Sequence, residues 1–426
     1  MRARTRRASC RQRGEPAAEP GSAGRERKAA RGVRIQHVEV VNLHFDYPGG
    51  AGFRYAGGTV TSRVTSLVRV HTDGPHTGIG AAYSHPDLVK AIVEKHLGAH
   101  LVGRDPTEVE ELWELMYGLT RWYGRKGAAV SALGGLDIAF WDLRGKAAGK
   151  PVHELLGAGR DSAPAYASGL FWTDDVTDLE EEAARHVARG FRRVKMRLGR
   201  DPEYDLAAVD AARRGAGEGN DVIVDGSHRY SLERAEWMGK ELAARGVFWF
   251  EEPFPPEDLD AYVALRPRID VPLAAGENDF GVQGFRELIR AGALDVVQPD
   301  ACRAGGITEC VRIGRMADEA GLGVATHTWS DAVALVANAH LVASLPNGLT
   351  VEVDQTGNPF VDELLAEPLR IEAGRLLLGD APGLGIELDE NVVARLAGAY
   401  GDSMANGNYS DLVFGPEHYS VAPPYE

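Results

Sequence analysis

The 426-residue chain is 44% hydrophobic and 26% charged and carries a formal net charge of -15 at pH 7. That balance is ordinary for a globular protein with room for one large domain and a smaller one, and the acidity argues against nucleic acid as the main partner, because duplex binding usually shows a basic face. Its three cysteines, Cys10, Cys302 and Cys310, give neither a disulfide framework nor a zinc spacing, and no apolar run approaches the roughly 20 residues of a membrane helix, so a reducing, cytoplasmic setting is expected.

Residues 1–32 are Arg-rich, broken by Gly and Pro, and lack the apolar core of a secretory signal; they read as a disordered basic extension. Periodic structure begins at "VRIQHVEVV", which alternates in strand fashion, as does "TSLVRVHTD". The Gly-rich "DYPGGAGFRYAGG" between them predicts a hairpin with a long loop. Helical spacing follows in "DLVKAIVEKHLGAHLVG", "TEVEELWELMYGL" and "AVSALGGLDIAFWDLRGKAAG", so residues 33–158 form an α+β domain.

From there short apolar strands alternate with amphipathic helices at about 25 residues per unit, the rhythm of a parallel (β/α) barrel over residues 159–360. Counting "APAYASG" as the first, eight strands are expected, and the other seven end in "VKMRLG", "DVIVDGS", "VFWFEEPF", "VPLAAGEND", "LDVVQPD", "GVATHTW" and "LTVEVDQ". Residues 361–426, with the alternating "RLLLGDAPGLGIELDE", are expected to return to the first domain.

The last seven strands are apolar up to their C-terminal ends, where Lys195 with Arg197, Asp225, Glu251 with Glu252, Glu277, Asp300, His327 and Glu352 appear. In a barrel these positions converge on the catalytic face. Any one has a plainer reading, Asp225 or Asp300 as a helix cap and His327 as a hydrogen-bonded core residue. Seven in succession would crowd like charges unless something compensates them. Asp225, Glu251 and Glu277 are hard oxygen donors without Cys or clustered His, which favours Mg2+ over zinc. Neighbours on a regular strand face opposite ways, so only one of Glu251 and Glu252 enters the barrel, and spacing does not say which. Asp300 and His327, from adjacent strands, fit a general base whose tautomer is fixed by a carboxylate. Lys195 and Arg197 share a face two residues apart. Cations, a metal and a base together suit removal of a proton α to a carboxylate, whose enediolate needs its growing negative charge stabilised.

The ordered set "VKMRLG", "VDGS", "WFEEPF", "AGEN", "QPDACRAGGITE", "ATHTW" and "VEVD", preceded by "AVSALGGLDIAFWDLRGKAAGKPVHELLG" and followed by "APGLGIELDE", resembles the enolase superfamily, mandelate racemase-like subgroup, over about residues 33–395. The resemblance implies a modified (β/α)7β barrel of TIM type beneath an α+β capping domain. It implies Asp225, Glu251 and Glu277 as Mg2+ ligands, with Glu251 rather than Glu252 inward, Asp300 and His327 as the base dyad, and Glu352 hydrogen-bonded to the substrate carboxylate. Lys195 matches the first lysine of the subgroup's KxK motif. Arg197 replaces the second, which normally serves as the base on the opposite face, and guanidinium resists deprotonation. A racemase needs a base on each side, so the expected activity is one-base dehydration of a sugar acid, an aldonate or aldarate, to a 2-keto-3-deoxy acid. Racemisation or epimerisation is the alternative, and a non-catalytic barrel the remote one. In the capping loops "FDYPGGAGFRYAGG" and "YSHP", Asp46, Tyr47, Arg54, Tyr55 and His85 are candidate substrate contacts. The expected partners are a small carboxylate and further copies of the chain, with no nucleic acid and no membrane.

Overall fold

The computed structural model describes residues 32–400 except residue 57. The N-terminal extension and the end of the C-terminal segment lie outside the described residues. Strand β1 (Ile35–Asp46) pairs antiparallel with β4 (Ser62–Thr72), and β4 with β5 (Thr77–Ala82). The long loop of that hairpin folds back as a smaller one, β2 (Phe53–Tyr55) with β3 (Gly58–Val60).

The sequence pattern does not announce β5, whose Gly78, Gly80, Ala81 and Ala82 hide its alternation. The structure gives the reason. The helix Ala128–Ala148 lies so close that a Cβ on Gly78 would stand 2.4 Å from the Ala139 carbonyl oxygen, and one on Gly80 2.1 Å from that of Gly135. On the barrel side of this helix a Cβ on Gly134 would meet the Ala301 carbonyl oxygen at 2.5 Å. A helix wedged between two layers is apolar all round, which explains its lack of a polar face.

Eight parallel strands follow: β6 (Ser162–Ser168), β7 (Arg193–Arg197), β8 (Asp221–Asp225), β9 (Phe250–Glu251), β10 (Leu273–Ala275), β11 (Val296–Val297), β12 (Gly323–Thr326) and β13 (Gly348–Asp354). They pair in chain order, and β13 pairs with β6 to close the barrel. Side-chain caps from Asp201, Ser231, Asp258 and Asp331 start four of the intervening helices. Inside, Tyr166, Ile223, Trp249, Ala274, Val296 and Ala325 pack into a separate apolar plug, so the barrel is filled rather than a pore. The functional polar groups stand above it.

The C-terminal segment pairs with the barrel before it reaches the capping domain. Strand β15 (Arg375–Leu377), paired with β14 (Ile371–Glu372), adds antiparallel to β6 of the barrel. Only then does the chain reach the capping domain, where Asp142 Oδ1 accepts the Leu384 N–H at 2.9 Å. A buried imidazole fastens this passage: His340 Nε2–H donates to the Leu384 carbonyl at 3.1 Å, and Nδ1 accepts the His153 backbone N–H at 3.1 Å. Burial pushes the His340 pKa from 6.5 down to about 3. The folded state therefore disfavours the proton, and this group's stabilisation is complete above pH 6.5 and is lost as pH falls from there toward 3. The stability difference between wild type and His340→Asn, read from denaturant melts, should be largest near pH 7.5 and about 2 kcal/mol smaller by pH 5. A pH-independent difference would show that the ring is not held neutral.

Candidate active site

Strand β7 turns Val194 and Met196 toward the surrounding helices and Lys195 and Arg197 into the barrel mouth, as alternation requires. Lys195 Nζ lies 2.6 Å from Glu251 Oε1, 2.8 Å from Glu352 Oε1 and 3.9 Å from Asp225 Oδ2, fully buried. Burial opposes its charge, but Glu251 and Glu352 outweigh it and raise its pKa. Arg197 Nη1 lies 3.0 Å from Asp225 Oδ2, and its guanidinium sits 5.4 Å from the ring centres of both Phe171 and Trp329. Its pKa also rises, with Asp225 and Glu352 overcoming burial.

Asp225, Glu251 and Glu277 each bring a carboxylate oxygen within 4.8 Å of the others. Burial raises the pKa of Glu251 and of Glu277, as expected for buried carboxylates brought together. All three donors are hard oxygens, and the spacing leaves room for a shared ion, so the set fits Mg2+. A divalent cation there would act on every pKa nearby.

Across this cluster His327 Nδ1 lies 2.8 Å from Asp300 Oδ2, and Nε2 points to Glu277 at 3.9 Å. Asp300 combines the two readings that its position allowed. Its Oδ1 accepts from the Cys302 N–H at 2.8 Å, the cap, and from Asn338 Nδ2 at 2.9 Å, leaving Oδ2 for the imidazole. Burial lowers the His327 pKa, but Glu277 and Asp300 raise it to about 9. A cation drawing on Glu277 would oppose that rise.

Glu352 accepts the Thr328 N–H at 3.0 Å, and Lys195, His327 and Arg197 carry its pKa against burial down to about 2. An ionised Glu352 only accepts, so a bond between it and a substrate carboxylate would need a proton from the ligand. Arg197 Nη1 and Glu352 Oε1 are buried within ion-pair distance of partners, yet neither makes an aligned hydrogen bond. Both have capacity for a ligand.

The regular-strand premise fails at Glu252. Strand β9 ends at Glu251, and Glu252 takes φ +35°, so its side chain does not turn outward to the helices. It is buried beside the cluster, 2.5 Å from His228 Nε2 and 3.0 Å from Asn278 Nδ2. Glu251 is the one that meets the other two carboxylates.

The capping loops divide. Asp46 is exposed and pairs with His44 at 3.0 Å. Tyr47, buried, bonds Thr356 Oγ1 at 2.7 Å, and exposed Arg54 pairs with Asp174 at 2.7 Å. Both line a cavity of about 500 Å3 with Phe53, Phe171 and Gln355, which none of the strand-end charged residues lines. Tyr55 approaches Phe171, at 6.4 Å between ring centres, and His85 Nδ1 is buried without a hydrogen bond. Two residues before His85, the Tyr83 ring lies 5.7 Å from that of His327.

Other contributors carry no sequence signal of function. Phe171 and Trp329 look like core aromatics, yet they flank Arg197, and Phe53 of the capping hairpin packs on both at 4.1 and 6.0 Å. Arg63 reads as one polar residue in a strand. It is buried, pairs with Asp354 at 2.9 Å, bonds the Trp329 carbonyl at 2.5 Å and lies 4.9 Å over the Trp329 ring, joining capping sheet to barrel mouth.

Sequence models of two families match the chain. Residues 38–157 match the mandelate racemase / muconate lactonizing enzyme N-terminal domain, and residues 178–392 the enolase C-terminal domain-like family. D-galactarolactone cycloisomerase of Agrobacterium fabrum is 35% identical over 343 residues, 78% of this chain and 90% of that protein. Arabinonate dehydratase of Saccharolobus solfataricus is 34% identical over 328 residues, 76% and 88%. The structure of L-talarate dehydratase from Polaromonas sp. JS666, complexed with Mg and L-glucarate, is 29% identical with a TM-score of 0.77, covering 85% of this chain and 97% of that one.

Proposed function

Because the chain belongs to the enolase superfamily, in its mandelate racemase-like branch of acid sugar dehydratase type, we propose that it is a Mg2+-dependent hydro-lyase turning an aldonate or aldarate into a 2-keto-3-deoxy acid. The observation that carries this reading is the asymmetry of the site. A carboxylate-held imidazole, His327 with Asp300, faces Lys195 and Arg197 across three carboxylates, and only the imidazole side offers a ready base.

Asp225, Glu251 and Glu277 would hold Mg2+, which as a Lewis acid supplies charge stabilisation to a bound carboxylate. His327 Nε2 takes the α-proton while Asp300 holds Nδ1 in the matching tautomer. Lys195 and Arg197 are fixed positive charges beside the carboxylate as it becomes an enediolate. Arg197 stays cationic, because burial between Phe171 and Trp329 is outweighed by Asp225 and Glu352. The enediolate then expels the β-hydroxyl, and the enol becomes the keto acid. Phe53 and its hairpin cover the Arg197 side against water. Asp46 has no place in this scheme.

Incubation of a panel of aldonic and aldaric acids with the Mg2+-loaded enzyme should release a 2-keto-3-deoxy acid from at least one of them. A second reading, cycloisomerisation of a sugar lactone, is favoured by the Agrobacterium fabrum relative. Turnover of lactones alone, to a product isomeric with the lactone and without loss of water, would select it and reject the hydro-lyase.

A further inference from the structure

The helix Ala332–Ser344 buries two polar side chains among Ala, Val and Leu, those of Asn338 and His340, both 0% exposed. An amide or imidazole there gives up its hydration, a cost that only well-placed hydrogen bonds offset. His340 is accounted for by its grip on the C-terminal segment. Asn338 makes its bonds just beyond the end of β11: Nδ2–H donates to Asp300 Oδ1 at 2.9 Å, and Oδ1 accepts the Ala301 N–H at 3.0 Å. A backbone N–H only donates, so the amide oxygen must meet Ala301 and the NH2 group must meet the carboxylate.

Asp300 Oδ1 thus receives two donors, the Cys302 N–H at 2.8 Å and Asn338 Nδ2, while Oδ2 meets His327 Nδ1 at 2.8 Å. The two donors are not equivalent. The Cys302 bond closes within two residues of Asp300 and moves with that turn, whereas Asn338 reaches the carboxylate from 38 positions along the chain, on a separate helix. That helix is pinned in its turn. Asp331 at its start accepts the Ala334 N–H at 2.9 Å and the Thr65 hydroxyl of β4 at 2.6 Å. An orienting group is most precise when it stands on such a rigid element.

Resting on the reading of His327 as the base, we propose that Asn338 is a positioning residue for it. Asn338 clamps the Asp300 carboxylate with Oδ2 toward the imidazole; Oδ2 in turn keeps the proton on Nδ1 and leaves Nε2 to accept the α-proton. Asn338 gives and takes no proton itself, and its effect passes through Asp300. Without it the carboxylate keeps its local cap but gains freedom to turn, and the imidazole is less often in the productive tautomer and orientation. A purely structural Asn338 would act instead through Ala301, holding the chain there whatever residue precedes it.

The test uses two Mg2+-loaded full-chain variants with opposite packing errors. Asn338→Leu keeps most of the volume and Asn338→Ala truncates it, so an effect common to both belongs to the missing amide. On a sugar acid that the wild type dehydrates, in deuterated solvent, kcat and the gain of solvent deuterium should fall together by about 10- to 100-fold, the usual loss on removing an outer partner of an active-site group. KM and Mg2+ affinity should stay near the wild-type values. The downfield proton signal of His327 Nδ1–H, identified by its absence from His327→Asn, should shift or broaden in both variants. In an Asp300→Asn background, Asn338→Leu should change kcat by no more than about two-fold, because a residue acting through Asp300 has nothing left to act on. Equal losses in the two backgrounds would return Asn338 to a structural role through Ala301. An unaltered N–H signal, unchanged kcat, or a rise in KM alone would each overturn the proposal. If the wild type itself incorporates no solvent deuterium, in product or substrate, the reading of His327 as the base fails instead, and the N–H signal still decides whether Asn338 holds Asp300 against the imidazole.

Discussion

His327→Asn should abolish both keto acid formation and exchange of the α-proton with solvent, with losses of about 10⁴-fold or more, or roughly 5 kcal/mol in the barrier. The argument is geometric. His327 has one ring nitrogen held by a buried carboxylate, Asp300 Oδ2 at 2.8 Å, and the other turned toward the carboxylate cluster. On the opposite side Lys195 is locked between Glu251 and Glu352, and Arg197 is a guanidinium. Neither gives up a proton readily, so the cationic side does not rescue the variant. Exchange measured by NMR of recovered substrate decides it, and exchange persisting in His327→Asn but vanishing in Arg197→Met would put the base on the cationic side.

Removal of the divalent ion should be as damaging. Exhaustive chelation is expected to stop turnover and added Mg2+ to restore it. Asp225→Asn, Glu251→Gln and Glu277→Gln should each weaken Mg2+ binding in calorimetric titration and cost at least about 10²-fold in turnover, the scale of one lost electrostatic contact in a site. Glu251→Gln carries a further penalty, since it removes the 2.6 Å partner of a fully buried ammonium. Glu252→Gln should affect Mg2+ affinity less, because that carboxylate is directed at His228 and Asn278. Full activity in chelated enzyme would remove the metal from the account.

The strand-end residues were legible because a parallel barrel converts chain order into convergence: seven successive strands with polar ends can only meet at one face. The pairing of Asp300 with His327 followed from adjacency of strands, and the shared face of Lys195 and Arg197 from a period of two. What escaped the pattern escaped it for local reasons. Glu252 departs from alternation through a positive φ, which residue types other than glycine do not advertise. Strand β5 is hidden by Gly78 and Gly80, chosen for the approach of a helix rather than for strand propensity. Arg63 and Trp329 acquire their roles from contacts between residues more than a hundred positions apart and Phe171 from an arginine on the next strand, and their own surroundings in the chain read as ordinary strand or core. His228 sits in a loop, where a lone histidine has no spacing to mark it. Among the capping-loop candidates, composition could indicate polar residues but not direction: Tyr47 and Arg54 line a cavity while Asp46 faces solvent.

One-base dehydration is tested most directly by running the wild-type reaction on an active sugar acid in deuterated solvent and resolving all products by NMR. The account predicts a 2-keto-3-deoxy acid carrying one solvent deuterium at C3, with no C2 epimer in the remaining substrate. Accumulation of the C2 epimer, deuterated at Cα and without keto acid, would show a base on each face and contradict it.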